Sequence, residues 1–330
     1  MSSDDKSNGP KSMSELIPKL KGLPSLKRSK GTRKSLEQRL FDYAQSEAGA
    51  DPSEILYQHS VLCQTCLPYR DPGTNVRLWT RKNGYVRLEV QAGRAYDGRA
   101  GDFVDVGLPF GPKPRLVLYH LNAEALRKQS PEIELEDSLT AFVKRTLGLD
   151  PKGRNIRIVK EQLARLSAAD FRIGTTAEDR SITLKGSIVE GFELWTPRDD
   201  RQRMLWPTRI QFSQRYFESL MKHAVPLNES AVMLLAHNAM ALDIYTWLAQ
   251  RLHRVDAEKG GVLVPWTGLK DHFGDGYGRM DNFKRVFRFT LGQVKVVYPQ
   301  AKFTLDDRGM ELRHSRPPVA KRPLLDLKPE

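Results

Sequence analysis

The chain is predicted to be α+β: two tandem winged-helix domains, each a helix-turn-helix backed by a β-hairpin wing, behind a disordered basic N-terminal arm. Three observations lead there. One order of parts occurs twice: apolar helix, short strand, short helix, glycine-containing turn, basic amphipathic helix, hairpin-like close. The length, 330 residues, suits about two domains with tails. Both ends carry basic clusters and few large apolar residues, so they bury too little surface to fold alone. The expected division is 1–39 for the arm, 40–212 for an N-terminal winged-helix domain with extra strands, 213–316 for a C-terminal one, and 317–330 for a Pro-rich basic tail.

The elements follow in chain order. The arm holds Lys27-Arg28 and Arg33-Lys34, a solubilising tail or a source of phosphate contacts. Leu36 to Leu62 is weakly helical in pattern. Val76–Thr80 and Tyr85–Val90 alternate apolar and polar residues around Asn83-Gly84, a hairpin signal. A further strand is expected at Asp102–Val106. The first copy then opens with a helix near Pro112, a strand at Ile133–Leu135 and a helix at Leu139–Leu147 ended by Gly148. A basic helix runs from Arg154 to Leu166. Phe171–Ile173 and Ser181–Leu184 can form its wing, and Gly186–Leu194 another strand. A charged turn at Asp199–Arg203 and a helix at Ser213–His223 join the copies. The second copy has a helix at Glu229–Val255, a strand at Val262–Trp266, a helix at Thr267–Phe273 and the turn Gly274–Gly278. Arg279–Val297 is its basic helix, and β-like runs around Asp306–Gly309 close it.

On a wheel of about 100° per residue, Met280, Phe283, Phe287, Leu291 and Val294 share one face of the last basic helix. That face can pack on a stripe of Leu235, Ala239, Trp247 and Leu248. Lys284, Arg288 and Lys295 gather on one flank with Arg285 further round; Asn282 and Gln293 lie on the other. Lys and Arg neutralise phosphates, while Arg, Asn and Gln can make paired hydrogen bonds to base edges. Arg279, Asn282 and Arg285, at the start of the helix, are the candidate base contacts. In the first copy Ile156, Val159, Leu163 and Leu166 share the inner face. Arg154, Arg157 and Arg165 lie opposite, Lys160 at the edge, and Asn155 beside Arg154. Glu161 weakens that field, so the first helix is expected to touch backbone more than bases or to serve partly as an interface. Wing residues carry less signal: Lys302 can reach DNA, and Arg308 is discounted because Asp306-Asp307 share its loop.

Charge points the same way. The formal net charge is +13, which favours an anionic partner, most simply double-stranded DNA. No run of about 18 apolar residues occurs and the N-terminus has no apolar signal core. With two cysteines and no disulfide framework, a reducing cytoplasm without a membrane partner is expected.

Several stretches resemble plasmid-encoded RepA-type replication initiators of Gram-negative bacteria: Gly107-Leu-Pro-Phe-Gly-Pro-Lys-Pro-Arg-Leu116, Ser138-Leu-Thr-Ala-Phe-Val143 and Gln162-Leu-Ala-Arg-Leu-Ser-Ala168. So do Ala239-Met-Ala-Leu-Asp-Ile-Tyr-Thr-Trp-Leu-Ala249 and Tyr277-Gly-Arg-Met-Asp-Asn-Phe-Lys284. The similarity runs from about Cys63 to Val319. It implies an initiator that binds repeated origin sequences, helps open the duplex and recruits host initiator and helicase proteins. It also implies repression of the protein's own gene and exchange between monomer and homodimer, at home in the nucleoid or plasmid. The alternative function is a plain DNA-binding repressor that leaves the duplex closed.

An enzyme is the rival from another class. A nicking nuclease needs a Tyr nucleophile near a metal-binding His-x-His pair, and the seven histidines contain none. His59, Cys63 and Cys66 have a spacing that could suit zinc, but no fourth ligand is placed, and buried inert thiols are the better reading. There is no P-loop, and Gly274–Gly278 follows a short helix, not a strand. Asp97, Asp102 and Asp105 are read as solvated carboxylates. No enzyme activity, cofactor or resident metal is expected.

Overall fold

A computed structural model of the chain describes residues 35–45, 55–97, 100–135, 139–177, 180–192, 209–258 and 260–319. Most of the expected arm, the turn at 199–203 and the tail beyond 319 lie outside the described residues. Helix α1 (Leu36–Gln45) comes first, then strand β1 (Ile55–His59) and α2 (Ser60–Gln64). The hairpin signal around Asn83-Gly84 becomes β2 (Leu78–Asn83) and β3 (Val86–Gln91). Asn83 pairs with Val86, leaving a two-residue turn whose first position, Gly84, has φ +56°. An L side chain there would crowd its own backbone, which is why glycine is favoured. β4 (Arg94–Asp97) and β5 (Asp102–Asp105) form a second hairpin.

The first copy of the repeated order is α3 (Pro112–Lys128), β6 (Glu132–Glu134), α4 (Leu139–Ala141) running into a π-type turn at Phe142–Thr146, α5 (Gly153–Ala168), β7 (Asp170–Ala177) and β8 (Arg180–Ser187). Its hairpin does not stay local. β3 pairs with β7, giving a four-stranded antiparallel sheet of order β2-β3-β7-β8. The reason is alternation: Leu88, Val90 and Phe171 all point to one face and are buried, so one apolar layer seals both hairpins. β6 pairs instead with β10 (Arg209–Phe212), which also pairs with β9 (Val189–Phe192).

The second copy keeps its strands together. α6 (Gln214–His223), capped by the Ser213 hydroxyl, and β11 (Ala224–Asn228) lead into it. The helix expected over Glu229–Val255 is broken in two, α7 (Glu229–Leu235) and α8 (Ala239–Arg251), with a short 3-10 turn at Leu252–Arg254. Asn238 explains the break: its side-chain oxygen accepts from the Ala241 amide at 3.2 Å and starts a new helix. β12 (Val262–Pro265), α9 (Trp266–Phe273), α10 (Met280–Val297), β13 (Lys302–Leu305) and β14 (Gly309–Arg313) follow. The strands form one antiparallel sheet of order β12-β14-β13. Gly309 is required because a Cβ there would lie 2.1 Å from the Val264 carbonyl oxygen.

Contacts cross the expected boundary at 212/213. β1 pairs along its length with β11. Arg115 of α3 grips Asp243 of α8 through two 2.7 Å hydrogen bonds. Its remaining N–H groups donate to the carbonyls of Leu67 at 2.7 Å, Gly111 at 2.6 Å and Pro68 at 3.4 Å. All five guanidinium donors are thus used, which is how a cation survives burial there. One contiguous apolar cluster reaches from Leu40 to Leu312. Among the described residues no helix is long and apolar enough to cross a membrane.

Candidate nucleic-acid interface

Helix α10 buries the face that its sequence spacing indicates. Phe283, Phe287, Leu291 and Val294 are buried, and Met280 packs on the same cluster. Trp266, at the start of α9, stands edge-on to Phe283 and Phe287 with centroids 6.4 and 5.9 Å away. The far half of α10 is covered: it packs on α8, and α1 lies against it. Its first two turns are open. Arg279, Asn282, Arg285 and Arg288 are exposed and Lys284 is half-exposed.

These side chains are not equally free. Lys284 Nζ and Arg288 Cζ each lie 5.1 Å from the Trp266 ring centroid, within cation–π range. Trp266 is itself fixed, its indole N–H donating to the Asp306 carbonyl at 2.9 Å. The two cations therefore sit on a rigid shelf and lose little rotamer freedom on meeting an anion. Arg285 donates to the Asn282 side-chain oxygen at 2.9 Å, so the two candidate base contacts already face the same way. Arg279 is 85% exposed and touches Asp281 only at 3.5 Å.

Two of the expected contacts are spent on the fold. Lys295 Nζ donates to the carbonyls of Pro299 at 2.9 Å and Ala301 at 2.5 Å and lies 5.6 Å from the Phe303 ring. It closes the end of α10, and burial lowers its ammonium pKa. Arg165 of α5 is 8% exposed. It donates to Glu161 at 2.6 Å, Asp71 at 3.3 Å and the Leu108 carbonyl at 3.1 Å, and lies over Phe110. The wheel set it opposite the core, but the loop 107–110 folds over that side. Gly107 makes room, since a Cβ there would fall 2.6 Å from the guanidinium. Both side chains are engaged by the fold instead of standing open to solvent as the helical wheel suggests.

The first basic helix is left with little. Arg154 and Arg157 are exposed. Asn155 donates to the Asp150 carbonyl at 2.8 Å, closing the turn before α5. Lys160 is half-buried with a partner of its own. In the last hairpin, Arg308 folds back on the Asp306 carboxylate at 2.8 and 3.0 Å. That hydrogen bond, helped by the Gly309 amide, holds Asp306 below the usual carboxylate pKa. Lys302 is exposed.

The histidine and cysteines considered for zinc are occupied or inert. His59 Nδ1 accepts from the Val61 amide at 3.3 Å, and Nε2 contacts the Ser219 hydroxyl at 2.9 Å. Cys63 and Cys66 are buried free thiols whose pKa burial raises well above the ordinary value. Among the described residues no group of three or more His, Cys, Asp or Glu is placed to hold a metal ion.

Sequence reading missed Trp266 as the support beneath Lys284 and Arg288. The signal was present in the i, i+4 spacing of those cations; the partner across the turn was not legible. It also missed Arg81, whose guanidinium meets Asp275 in the turn before α10 at 2.6 Å.

Residues 108–267 match the family model described as plasmid encoded RepA protein. That segment is similar to plasmid RepA proteins. Two crystal structures of RctB domains show likeness in the course of the chain. The selenomethionine form of domains 2 and 3 aligns at TM-score 0.45 and 11% identity, over 69% of this chain and 82% of that one. A second structure of domains 2–3 aligns at 0.44 and 9%, over 76% and 94%. No match was found among curated proteins.

Proposed function

We propose that the chain is a replication initiator of the plasmid RepA type that binds duplex DNA sequence-specifically, with the start of α10 in the major groove. The single observation carrying this reading is the exposed Arg279, Asn282 and Arg285 edge beside the Trp266-held Lys284 and Arg288. Base-reading and phosphate-neutralising groups occupy one open helix end. The order α8, β12, α9, α10, β13, β14, with β14 central, supports a winged-helix reading, in which that end would face DNA. The first copy, with its hairpin given to another sheet, supplies Arg154 and Arg157 as phosphate contacts. Binding to repeated origin sites, opening of the duplex and recruitment of host initiator and helicase proteins complete the proposal. They rest on the RepA-type match over residues 108–267.

The test is footprinting of the full chain on its replicon's repeat-bearing DNA, with binding measured across salt. Protection of repeats is expected. Log affinity should fall linearly with log salt, by about 0.9 per phosphate neutralised. A flat salt response removes the proposal. Permanganate reactivity of thymines beside the bound repeats, with host initiator present, is expected if the duplex opens; its absence reduces the protein to a repressor.

A further inference from the structure

We propose that the tip of the β2–β3 hairpin is a second duplex-contacting element, carried beside the start of α10 and gripping the phosphate backbone next to it. The inference rests on the DNA reading above and adds residues which that reading does not use.

The hairpin's two faces differ in kind. Its inward row is anchored residue by residue. The Trp79 indole donates to the Cys66 carbonyl at 2.9 Å, Arg81 meets Asp275 at 2.6 Å, and the Asn83 amide donates to the Gln64 carbonyl at 2.9 Å. Arg81 also stacks on Trp79, 4.3 Å from the ring centroid. A strand fixed at three alternate positions is a rigid prop. Its outward row holds Lys82, and the register sets Lys82 directly opposite Arg87. Both are exposed.

Such a pairing is costly without an anion. Cβ atoms of directly opposed residues stand about 5 Å apart, and like charges there destabilise the sheet. Among the described residues neither cation is joined in an ion pair. The nearby Glu89 carboxylate is taken by Arg172. The next position in the row beyond Arg87 is Gly174, so nothing screens the pair from that side. Tyr85, at the turn, is 81% exposed, an aromatic tip beside two cations.

Position decides the partner. Asp275, which Arg81 holds, precedes Arg279 by four residues, at most about 14 Å of chain. That is under half of the roughly 34 Å of one duplex turn. One duplex turn is therefore long enough to span Arg279 and Lys82, the residue next to Arg81 on the other face of the strand. A phosphate bridging Lys82 and Arg87 relieves their repulsion and extends the contact along the backbone.

The test uses the full chain and a random-sequence duplex of about 40 base pairs, with affinity followed by anisotropy across salt. Lys82→Gln/Arg87→Gln should lower the slope of log affinity against log salt by about 1.8, two contacts at about 0.9 each. The inward anchors are untouched, so the melting temperature should hold or rise. An unchanged slope overturns the proposal when Arg279→Gln/Arg285→Gln still lowers it; the α10 reading then survives. A parent chain with no salt slope at all overturns both. As a second readout, Tyr85→Cys carrying an azide photocrosslinker should attach to the duplex. Crosslinking to a second copy of the chain instead assigns the tip to self-association and overturns the proposal.

Discussion

Asp243→Asn tests the bolt between the two copies. In the native chain the Asp243 carboxylate takes two 2.7 Å hydrogen bonds from Arg115, with the two side chains 7% and 2% exposed. The amide removes the countercharge and one of the two acceptors, and leaves a buried guanidinium with one amide oxygen and the Leu67, Gly111 and Pro68 carbonyls. Breaking one side of a buried pair costs about 3–5 kcal/mol. With a urea dependence of about 3 kcal/mol per molar, the unfolding midpoint should fall by about 1–1.7 M. Arg115→Met alone should cost about as much, since it strands Asp243 and frees the three carbonyls. Arg115→Met/Asp243→Leu should cost well under the sum, because the stranded charge is gone in the double variant. Urea unfolding followed by tryptophan fluorescence measures all three. Additive losses, or a single-variant loss below about 1 kcal/mol, would refute the account of Arg115 as a fully satisfied buried cation.

Three further outcomes are expected. Arg285→Ala should relax base preference by about 1–3 kcal/mol, while Lys284→Ala weakens all duplexes alike and reduces the salt slope by about 0.9; selection of binding sites from random DNA with each variant separates these. Arg165→Ala and Lys295→Ala should lower thermal stability and leave the salt slope unchanged, since the fold already engages both cations. Stability should also fall in acid, as urea titrations between pH 7 and pH 4 will show. Burial holds His59 and His120 near pKa 4 and His272 near 3, against an ordinary 6.5. The unfolded chain therefore binds more protons below pH 6.5, and the stabilisation present above that pH is lost on the way down. The loss is at most about 2 kcal/mol per histidine at pH 5. A flat profile would place these rings in solvent.

Much of this was legible because periodicity reports local facts. The buried face of α10 follows from the spacing of Phe283, Phe287, Leu291 and Val294, and the β2–β3 turn from Asn83-Gly84. What failed was long-range. A wheel sees one helix, so it put Arg165 in solvent; the covering loop lies more than fifty residues earlier in the chain. Phe171–Ile173 and Ser181–Leu184 were legible as a possible wing, but β3 as the neighbour of β7 was set by which apolar faces meet. The break before α8 was written in Asn238, a residue with cap chemistry inside an otherwise apolar run. Lys82 opposite Arg87 was readable in principle, since a two-residue turn fixes the register; its value came only with Asp275 next to it.

The two copies diverge in what their basic helices can still offer. α5 keeps Arg154 and Arg157 open and spends Asn155 and Arg165 on local structure, while α10 keeps a whole open end. Each hairpin departs in step with its helix. β13 and β14 remain with β12, beneath the Trp266 shelf, whereas β7 and β8 have joined β2 and β3. That loss from the first copy returns to the second: the sheet that took β7 and β8 is the one whose hairpin reaches Asp275. The duplicated order therefore need not yield two equal readers. On the proposed DNA reading, one helix reads bases, and its own hairpin and the hairpin braced from the first copy add backbone contacts. Weakening the Arg81–Asp275 link should then reduce affinity without changing base preference, because it frees a backbone contact and leaves Arg285 and Asn282 in place.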